Sequence, residues 1–485
     1  MVDARGNHGR LVSLGRVLPV ARFIGCDGID ATACRDEATE CRPGDVFVAR
    51  TTSAGDGHES VPLALSRGAT AVVAERMVPT GGVPLCLVPD ASWAHGRLCH
   101  ALAGDPSRET RVIAVAGTSG KTTTAWLAAA ALVEAGHRVG VLSDLGCLGP
   151  DDGEPATIDL AAPGALATTL ARLVSAGCSH VVLEVSSGML ARHATAGMES
   201  HTVAVTSLAA AHLEHHATPR AYRGIVSRVI DTLVDDGCLV TDLASSWRRR
   251  IAAALPDGRT VVSAGLDSAA DVHARSLGGS LAGRSFLLAA GGQVVPIAVD
   301  TPTVPFVRDA VTAAAIAVRH GVDLQAAARG IEAAGAVPGR LERIDRGQDA
   351  AVFIDTPTSM HAVAASLASL RRLTRGRLIV VADDRLARRL AGRGFAHRVA
   401  RWSDACLRVP ATIAAADPTP ADVAAYARLD RLLGGLRKGD CAVVLGVPPR
   451  RGSPGPDPSG LAALVDGWLQ LAHPAGSTFA PRRAA

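Results

Sequence analysis

A glycine-rich heptapeptide limits the folds open to this chain more than any other feature. It follows the apolar residues 112–116 and opens the helix-favouring segment 121–135, and a second apolar run spans 139–142. This order is that of a βαβ unit, with Gly136 placed to end the helix. The heptapeptide consists of Gly117, Thr118, Ser119, Gly120, Lys121, Thr122 and Thr123. The pattern therefore predicts an α/β domain built around a phosphate-binding loop.

The heptapeptide contains the residue types that bind the phosphates of ATP. Glycines let backbone N–H groups surround phosphate oxygens, and the start of a helix adds partial positive charge. We expect Lys121 to neutralise the β- and γ-phosphates and Thr122 to bind Mg²⁺. Residue 115 is Val where the general pattern has Gly, so the alternative is a glycine-rich turn with an incidental lysine. We predict that the chain binds ATP and Mg²⁺.

The length requires several domains. A chain of 485 residues is too long for one hydrophobic core, because cores divide above about 250 to 300 residues. A content of 48% hydrophobic and 20% charged residues is typical of globular proteins. Changes in pattern predict a small α/β domain, a central ATP-binding domain, another α/β domain, and a linker and tail with a short amphipathic helix. Their limits are 1–106, 107–335, 336–447 and 448–485.

Composition argues against several other classes of protein. A formal net charge of +4 and 3% aromatic residues give no support for nucleic-acid binding. The ten cysteines are scattered without a Cys-x-x-Cys pair, which favours reduced, buried thiols over a zinc site or a disulfide framework. The first ten residues lack the apolar core of a signal peptide, and the longest apolar stretch, 125–133, is too short to span a bilayer. We therefore expect a cytoplasmic protein without membrane insertion.

Acidic and histidine residues follow the next two predicted strands. Glu184 ends the apolar run 180–185, so its carboxylate is expected at the same sheet edge as the phosphate loop, where it would bind Mg²⁺. The alternative is a solvated glutamate at a strand end. After the run 202–206, His212 precedes His215 and His216. Their spacing suggests a metal site, although a polar loop is the favoured interpretation for His215 and His216.

Several motifs together resemble the Mur ligase family, and among its members the UDP-N-acetylmuramoyl-tripeptide synthetases. Those enzymes carry Gly-Thr-Asn-Gly-Lys-Thr-Thr, Glu-Val-Ser-Ser, Asp-His-Leu-Asp-Tyr-His and Val-Pro-Gly-Arg-x-Glu-Arg in that order, after Arg-Pro-Gly-Asp-Leu-Phe-Val-Ala in the first domain. The corresponding segments here are 117–123, 184–187, 211–216, 337–343 and 42–49. The resemblance covers most of residues 20–446.

The resemblance implies an α/β fold of three domains: an N-terminal uridine-nucleotide-binding domain, a central phosphate-loop ATPase domain with a parallel sheet, and a C-terminal Rossmann-like domain. It implies an ATP-dependent amide ligase of peptidoglycan synthesis that acts on UDP-N-acetylmuramoyl-L-alanyl-D-glutamate through an acyl phosphate. The implied substrates are ATP, a UDP-muramoyl peptide or related carboxylate, and an amino acid, and the implied state is a monomer. Lys121, Glu184 and His212 would be catalytic, Thr122, Glu184 and His212 would bind Mg²⁺, and Ser186 would contact the muramoyl substrate.

The chain also departs from the family pattern. Val226 stands where the family has a carbamylated Lys that helps to hold a second Mg²⁺, and Ala194 stands where it has an Arg. The family's substrate-binding Thr-Thr-Pro is Ala-Ala-Pro at 161–163, and Thr358 replaces a His. The Asp-Asn-Pro-Arg motif, which would favour diaminopimelate, is absent, and so is Gly-Lys-Gly-His-Glu. The sequence therefore does not identify the amino acid that is added.

Two other functions remain open on the sequence alone. The first is a degenerate Mur-ligase-like paralogue that binds ATP and has a regulatory or scaffold role. The second is a ligase of the folylpolyglutamate synthase kind, which the synthetase-like first domain disfavours. Conversion of Mg-ATP to ADP and phosphate only when a muramoyl peptide and an amino acid are both present would distinguish the ligase from the paralogue.

Overall fold

Three β-sheets of five or more strands organise the described residues in the computed structural model, and two two-stranded sheets (12–13 with 30–31, and 51–52 with 55–56) accompany them. The structure describes residues 10–52, 55–153, 155–209, 218–242, 246–253, 255–256, 258–410, 420–446 and 461–472. Each helix within these ranges is too short or too polar to cross a membrane.

The first sheet is small and mostly parallel. Its strand order is β2-β9-β8-β5-β4, and only β2 runs antiparallel to its neighbour. The apolar side chains of β5 and β8 are buried on both faces of the sheet, which explains their continuous apolar sequence. The strands are β1 (Val12–Ser13), β2 (Arg22–Ile24), β3 (Asp30–Ala31), β4 (Cys34–Arg35), β5 (Val46–Val48), β6 (Thr51–Thr52), β7 (Gly55–Asp56), β8 (Ala71–Ala74) and β9 (Leu85–Leu87), and the helices are α1 (Leu14–Val17), α2 (Val61–Ser66) and α3 (Ala91–Leu102).

The central sheet is the largest, with the order β12-β11-β13-β10-β14-β15-β16-β17-β18-β19. Its strands from β11 to β17 are parallel, and β12, β18 and β19 are antiparallel additions at the two edges. The strands are β10 (Arg111–Ala116), β11 (Val139–Ser143), β12 (Gly146–Leu148), β13 (His180–Val185), β14 (Ser200–Val205), β15 (Leu233–Thr241), β16 (Thr260–Gly265), β17 (Val272–Ser280), β18 (Gly283–Ala290) and β19 (Gln293–Val299).

The helices of the central region cover both faces of this sheet. They are α4 (Lys121–Glu134), α5 (Pro163–Ser175), α6 (Ser187–Ala191), α7 (Pro219–Ser227), α8 (Ser246–Ala253), α9 (Val304–Arg319) and α10 (Leu324–Ala334). The predicted βαβ unit is present as β10, α4 and β11, and Gly136 takes a left-handed φ of 85° just after the helix. Helix α4 packs against α9 and α10. The phosphate loop therefore leads into a helix that is held in place on the sheet.

The third sheet has the order β20-β21-β24-β22-β23, with only β20 antiparallel. The residues buried against it from the last helix are Leu461, Val465 and Leu469, so this predicted tail helix packs on the sheet. The elements are β20 (Arg340–Ile344), β21 (Ala351–Asp355), β22 (Leu378–Asp383), β23 (Ala405–Val409), β24 (Cys441–Leu445), α11 (Met360–Leu373), α12 (Asp384–Ala391), α13 (Phe395–Val399), α14 (Pro420–Gly434) and α15 (Leu461–Ala472). Short 3-10 helices lie at Ala38–Glu40, Gly57–Ser60, Pro106–Arg108, Arg228–Thr232 and Gly392–Gly394.

Candidate active site

The phosphate loop lies at the carboxyl ends of the central parallel strands, between β10 and α4. Gly120 caps α4 with a left-handed φ of 86°, and a Cβ atom there would overlap the carboxylate of Asp309. Glycine is therefore required at this position by both conformation and space. The first N–H groups of α4 have no acceptor within the helix, so the loop presents donors to an anion.

The segment after β14 holds the loop in shape. The Thr118 N–H donates to the Ser207 carbonyl at 2.8 Å, and the Ser119 N–H donates to Ser207 Oγ at 2.9 Å. The Thr206 hydroxyl donates to the Ser119 carbonyl at 2.7 Å. From α7, the Tyr222 hydroxyl donates to Thr118 Oγ1 at 3.1 Å. These contacts fix the backbone of the loop before any ligand arrives.

Lys121, Thr122 and Glu184 meet in one buried cluster, as their positions in the sequence predict. Thr122 Oγ1 donates to Glu184 Oε2 at 2.8 Å, and Lys121 Nζ lies 3.5 Å from Glu184 Oε1. The exposed fractions of the three residues are 8%, 4% and 2%, in chain order. The Asp144 N–H also donates to Glu184 Oε2, at 3.1 Å. The cluster joins β10, β11 and β13, which are neighbours in the sheet.

Glu184 has the properties of a carboxylate that binds a cation. Burial and the nearby Asp144 carboxylate raise the pKa of Glu184 above its ordinary value. Among the described residues, no group forms a hydrogen bond with its buried Oε1 atom. A buried carboxylate oxygen without a hydrogen bond is costly unless a positive charge faces it. The residues present at this site therefore fit a bound Mg²⁺ as well as the ammonium of Lys121.

The third sheet closes the site with an arginine. Arg340, the first residue of β20, donates from one guanidinium nitrogen to Thr122 Oγ1 at 2.9 Å. Its other terminal nitrogen donates to the Thr356 carbonyl at 2.6 Å and also contacts the Thr356 hydroxyl. A cavity of about 120 Å³ remains between this sheet and the phosphate loop. A side chain of the third sheet thus reaches the loop directly.

Two further carboxylates line the cavity. Burial raises the pKa of Asp355, the last residue of β21, to about 6. Burial also raises the pKa of Asp309, in α9, well above its ordinary value. Arg340 lies near both carboxylates and partly offsets the effect of burial. A cation bound in the cavity would favour the ionised form of both carboxyl groups, which burial disfavours.

Of the other residues singled out in the sequence, one caps a helix, one lines the cavity and two lie in an apolar core. The Ser186 side chain caps α6 and accepts a hydrogen bond from the Met189 N–H at 3.2 Å. Thr358 lines the cavity. Val226 and Ala194 are buried in the apolar core on one face of the central sheet. The predicted metal ligand His212 lies outside the described residues, as do His215 and His216.

Sequence reasoning did not identify several residues that meet at this site. Asp144 carried a usable signal, because it directly follows β11, whose carboxyl end neighbours that of β13. Arg340 ends the Val-Pro-Gly-Arg segment at 337–340, whose local pattern does not indicate a contact with the phosphate loop. Asp309 had no local signal, since it lies within a helix far along the chain.

Comparisons with known proteins agree on one family. The Mur ligase middle domain matches residues 115–317. The UDP-N-acetylmuramoyl-L-alanyl-D-glutamate--2,6-diaminopimelate ligase of Corynebacterium efficiens is 35% identical over 405 residues, which are 79% of this chain and 76% of the relative. The enzyme of the same name from Corynebacterium glutamicum is 38% identical over 307 residues, which are 61% of this chain and 58% of the relative.

Solved structures share the fold at low sequence identity. A UDP-N-acetylmuramoyl-L-alanyl-D-glutamate--2,6-diaminopimelate ligase superposes with a TM-score of 0.65 at 19% identity, over 90% of this chain and 93% of that chain. The apo form of L. casei FPGS superposes with a TM-score of 0.57 at 15% identity, over 73% of this chain and 92% of that chain. The second similarity shows that the folylpolyglutamate synthase kind of ligase has the same architecture.

Proposed function

The chain belongs to the Mur ligase family of ATP-dependent ligases, and from that premise we propose that it joins an amino acid to the carboxylate of a UDP-muramoyl peptide. The observation that carries this proposal is the buried cluster of Lys121, Thr122 and Glu184 at the phosphate loop. A solvated glutamate at a strand end would not be 2% exposed beside the loop lysine. The geometry therefore favours the phosphate-binding interpretation over an incidental turn.

We propose that Thr122, Glu184 and His212 hold Mg²⁺. When bound, this ion would neutralise the charge on the transferring phosphate oxygens. The support from the described residues is the buried Glu184 Oε1, which forms no hydrogen bond with them and faces the Lys121 ammonium at 3.5 Å, and the adjacent Thr122 hydroxyl. Oxygen ligands of this kind suit Mg²⁺.

In the proposed reaction the substrate carboxylate attacks the γ-phosphorus of ATP, which gives an acyl phosphate and ADP. The amine of the incoming amino acid then displaces phosphate and forms the amide. Lys121 stabilises the charge that develops on the transferring phosphoryl group, and the N–H groups of the loop orient the phosphates. Arg340 brings a second positive charge from the third sheet to the same place. These groups position and stabilise, which is most of what phosphoryl transfer requires of a protein.

Two observations bear on which amino acid is added, and they point in different directions. The names of the relatives make 2,6-diaminopimelate the first acceptor to test. The chain lacks the family's Asp-Asn-Pro-Arg motif and has Thr358 in place of a His, so a different acceptor is the competing possibility. We propose that the UDP-muramoyl dipeptide supplies the carboxylate. Assays with a panel of amino acids would identify the acceptor.

The test is phosphate release from Mg-ATP by the full chain. We expect release only when UDP-N-acetylmuramoyl-L-alanyl-D-glutamate and an amino acid are both present, with one amide product formed per phosphate. Binding of Mg-ATP without release under any pairing would instead favour the degenerate paralogue, for which Val226 and Thr358 are the supporting observations. Release with a folyl substrate would favour the folylpolyglutamate synthase kind of ligase.

A further inference from the structure

Two cysteines and a histidine meet beside the first sheet, outside the candidate active site. Cys34 lies in β4, and His95 and Cys99 lie one turn apart on α3, where residues four positions apart share a face. One ligand atom from each residue lies within 4.8 Å of the other two. In the part of the chain that the structure describes, no other group of three such residues is as close.

The distance between the two sulfurs matches a shared metal ion. Cys34 Sγ and Cys99 Sγ are 3.8 Å apart. A disulfide requires about 2.05 Å. Two thiolates bound to one tetrahedral zinc at about 2.3 Å each are separated by about 3.8 Å. The sulfurs therefore lie where zinc would hold them, without movement of β4 or α3.

The histidine has the environment of a metal ligand. The His95 side chain is 6% exposed. Its Nδ1 atom is buried and forms no hydrogen bond with any described residue. Asp36 Oδ1 lies 3.8 Å from the other ring nitrogen, Nε2, and Asp36 is itself paired with Arg50. A nearby carboxylate is a usual partner of a metal-bound histidine.

We propose that Cys34, His95 and Cys99 bind one zinc ion, with water as the fourth ligand and Asp36 orienting the imidazole. Two thiolates and an imidazole select zinc, whereas the oxygen ligands at Glu184 select magnesium, so the two sites take different metals. Both thiols lose their protons to solvent on binding. The sequence contains no Cys-x-x-Cys pair and therefore argued against a zinc site. The proposed site has no such local pattern, because 65 positions separate its two cysteines.

The site lies where β4, α3 and the start of α5 come together. Zinc would connect β4 to α3, and Cys99 lies beside the start of α5 in the central region, where a Cβ on Gly164 would lie 3.8 Å from its sulfur. We therefore expect the ion to stabilise the packing of the first sheet rather than to act on ATP.

The experiment measures metal binding by the full chain, reduced and stripped of metal, in excess Mg²⁺. Zinc is titrated against a chromophoric chelator, and Co²⁺ is added separately to detect absorption from thiolate ligands. We expect one zinc per chain, a thiolate-to-Co²⁺ charge-transfer band, and a higher thermal unfolding midpoint with zinc. Cys34→Ser and Cys99→Ser should each weaken zinc binding at least about a hundredfold, more than the loss of an outer-shell partner.

Cys26→Ser is the matched control, because Cys26 is a half-buried thiol in the same region but outside the cluster. It should bind zinc like the wild type. The proposal is overturned if the reduced wild type takes up no zinc, if Co²⁺ gives no thiolate band, or if both cluster variants bind zinc unchanged. A Cys34–Cys99 disulfide in the protein isolated without reductant would also overturn it. The wild-type titration keeps the test decisive even where a variant fails to fold.

Discussion

At the carboxyl ends of its strands the central sheet gathers buried charged groups, whereas at the amino ends it gathers three histidines, of which His180 is buried and His137 and His320 are half-buried. Lys121, Glu184 and Arg340 form one connected set around Thr122 at the carboxyl ends. At the amino ends, the His180 ring centre lies 4.4 Å from that of His137 and 5.1 Å from that of His320. The two ends of the same sheet therefore surround their ionisable groups with different partners: charged side chains at the carboxyl ends and other histidine rings at the amino ends.

Burial shifts the pKa values of ionisable groups at both ends of the strands. At the carboxyl ends oppositely charged side chains oppose that shift, whereas around His180 and His320 the neighbouring ionisable groups add to it. At the amino ends burial lowers the pKa of His180 to about 4 and that of His320 to about 3, so both rings are neutral at pH 7. At the carboxyl ends Lys121 and Arg340 face Glu184 and oppose the increase in its pKa. Because the carboxyl ends place cationic side chains beside a buried carboxyl group, we infer that the carboxyl ends are built for ligands and the amino ends for packing.

The largest effect is expected from Lys121→Ala. Removing the charge opposite the β- and γ-phosphates should lower phosphate release about 1000-fold and ATP affinity about 10- to 100-fold. Lys438→Ala is the matched control, because Lys121 and Lys438 are the two lysines of the chain and Lys438 is exposed on the turn before β24. Calorimetry and a phosphate assay measure both variants. Equal ATP affinity for Lys121→Ala and the wild type would contradict the phosphate-loop assignment.

Glu184→Gln should impair turnover while sparing nucleotide binding. Glutamine can still accept hydrogen bonds from Thr122 and from the Asp144 N–H, so the change removes charge with little change of shape. Because a metal-binding carboxylate acts mainly on charge in the transition state, we expect phosphate release to fall about 100-fold and ATP affinity to change less than about threefold. Unchanged release would show that Glu184 is a structural strand end.

Arg340→Ala tests whether the third sheet contributes to the carboxyl-end cluster. The change removes the guanidinium that contacts Thr122 Oγ1 and should lower phosphate release about tenfold, the loss of one charge-assisted hydrogen bond. Arg343→Ala, on the same strand but paired with Asp345, should leave release unchanged. Equal rates for the two variants would remove Arg340 from the site.

His320→Gln tests the amino ends. Because the folded pKa of His320 is about 3, against an ordinary value of 6.5, the unfolded chain binds a proton between these values that the folded chain does not. Stability is therefore present above about pH 6.5 and is lost as the pH falls toward the folded pKa. Other groups facing His320 are His180, His201, Arg111 and Arg319.

Removing that titration should make the unfolding midpoint of His320→Gln less sensitive to acid. Between pH 7 and pH 5 the wild type should lose about 2 to 4 °C more than the variant, corresponding to on the order of 1 kcal/mol. His361→Gln, an exposed histidine on α11, is the control and should follow the wild type. ATP affinity at pH 7 should be unchanged in both variants, and any loss in His320→Gln would couple the two ends of the sheet.

The sequence predicted the carboxyl-end cluster only in part. The phosphate loop, α4, β11 and Glu184 were accessible because local pattern and strand order determine which residues share a sheet edge. Arg340 meets Thr122 across 218 positions, and the cysteines of the proposed zinc site meet across 65. The first contact depends on how two sheets pack together and the second on how α3 packs on the first sheet, and a periodic pattern carries no information on either.

Val226 stands where the family has the carbamylated lysine that helps to hold a second Mg²⁺. It is 2% exposed in an apolar core, so it supplies no anionic ligand to a second metal. The loss of one anionic ligand should weaken the binding of a second metal ion. We therefore expect ligation of the usual muramoyl dipeptide at a rate below about 1 per second. A faster rate would mean that another residue replaces the family's carbamate.

The smallest expected effect is that of bicarbonate, which should not change the rate at all. Bicarbonate activates by carbamylating a lysine, and this chain has only two. Lys121 lies 3.5 Å from Glu184 Oε1 and acts there as a cation, while Lys438 is exposed on a turn of the third sheet. Initial rates of phosphate release at constant pH, with and without bicarbonate, should therefore have a ratio of one. If bicarbonate accelerates release in the wild type but not in Lys438→Arg, then Lys438 forms a carbamate that supplies the anionic ligand missing at Val226, and the expectation of weak second-metal binding is wrong.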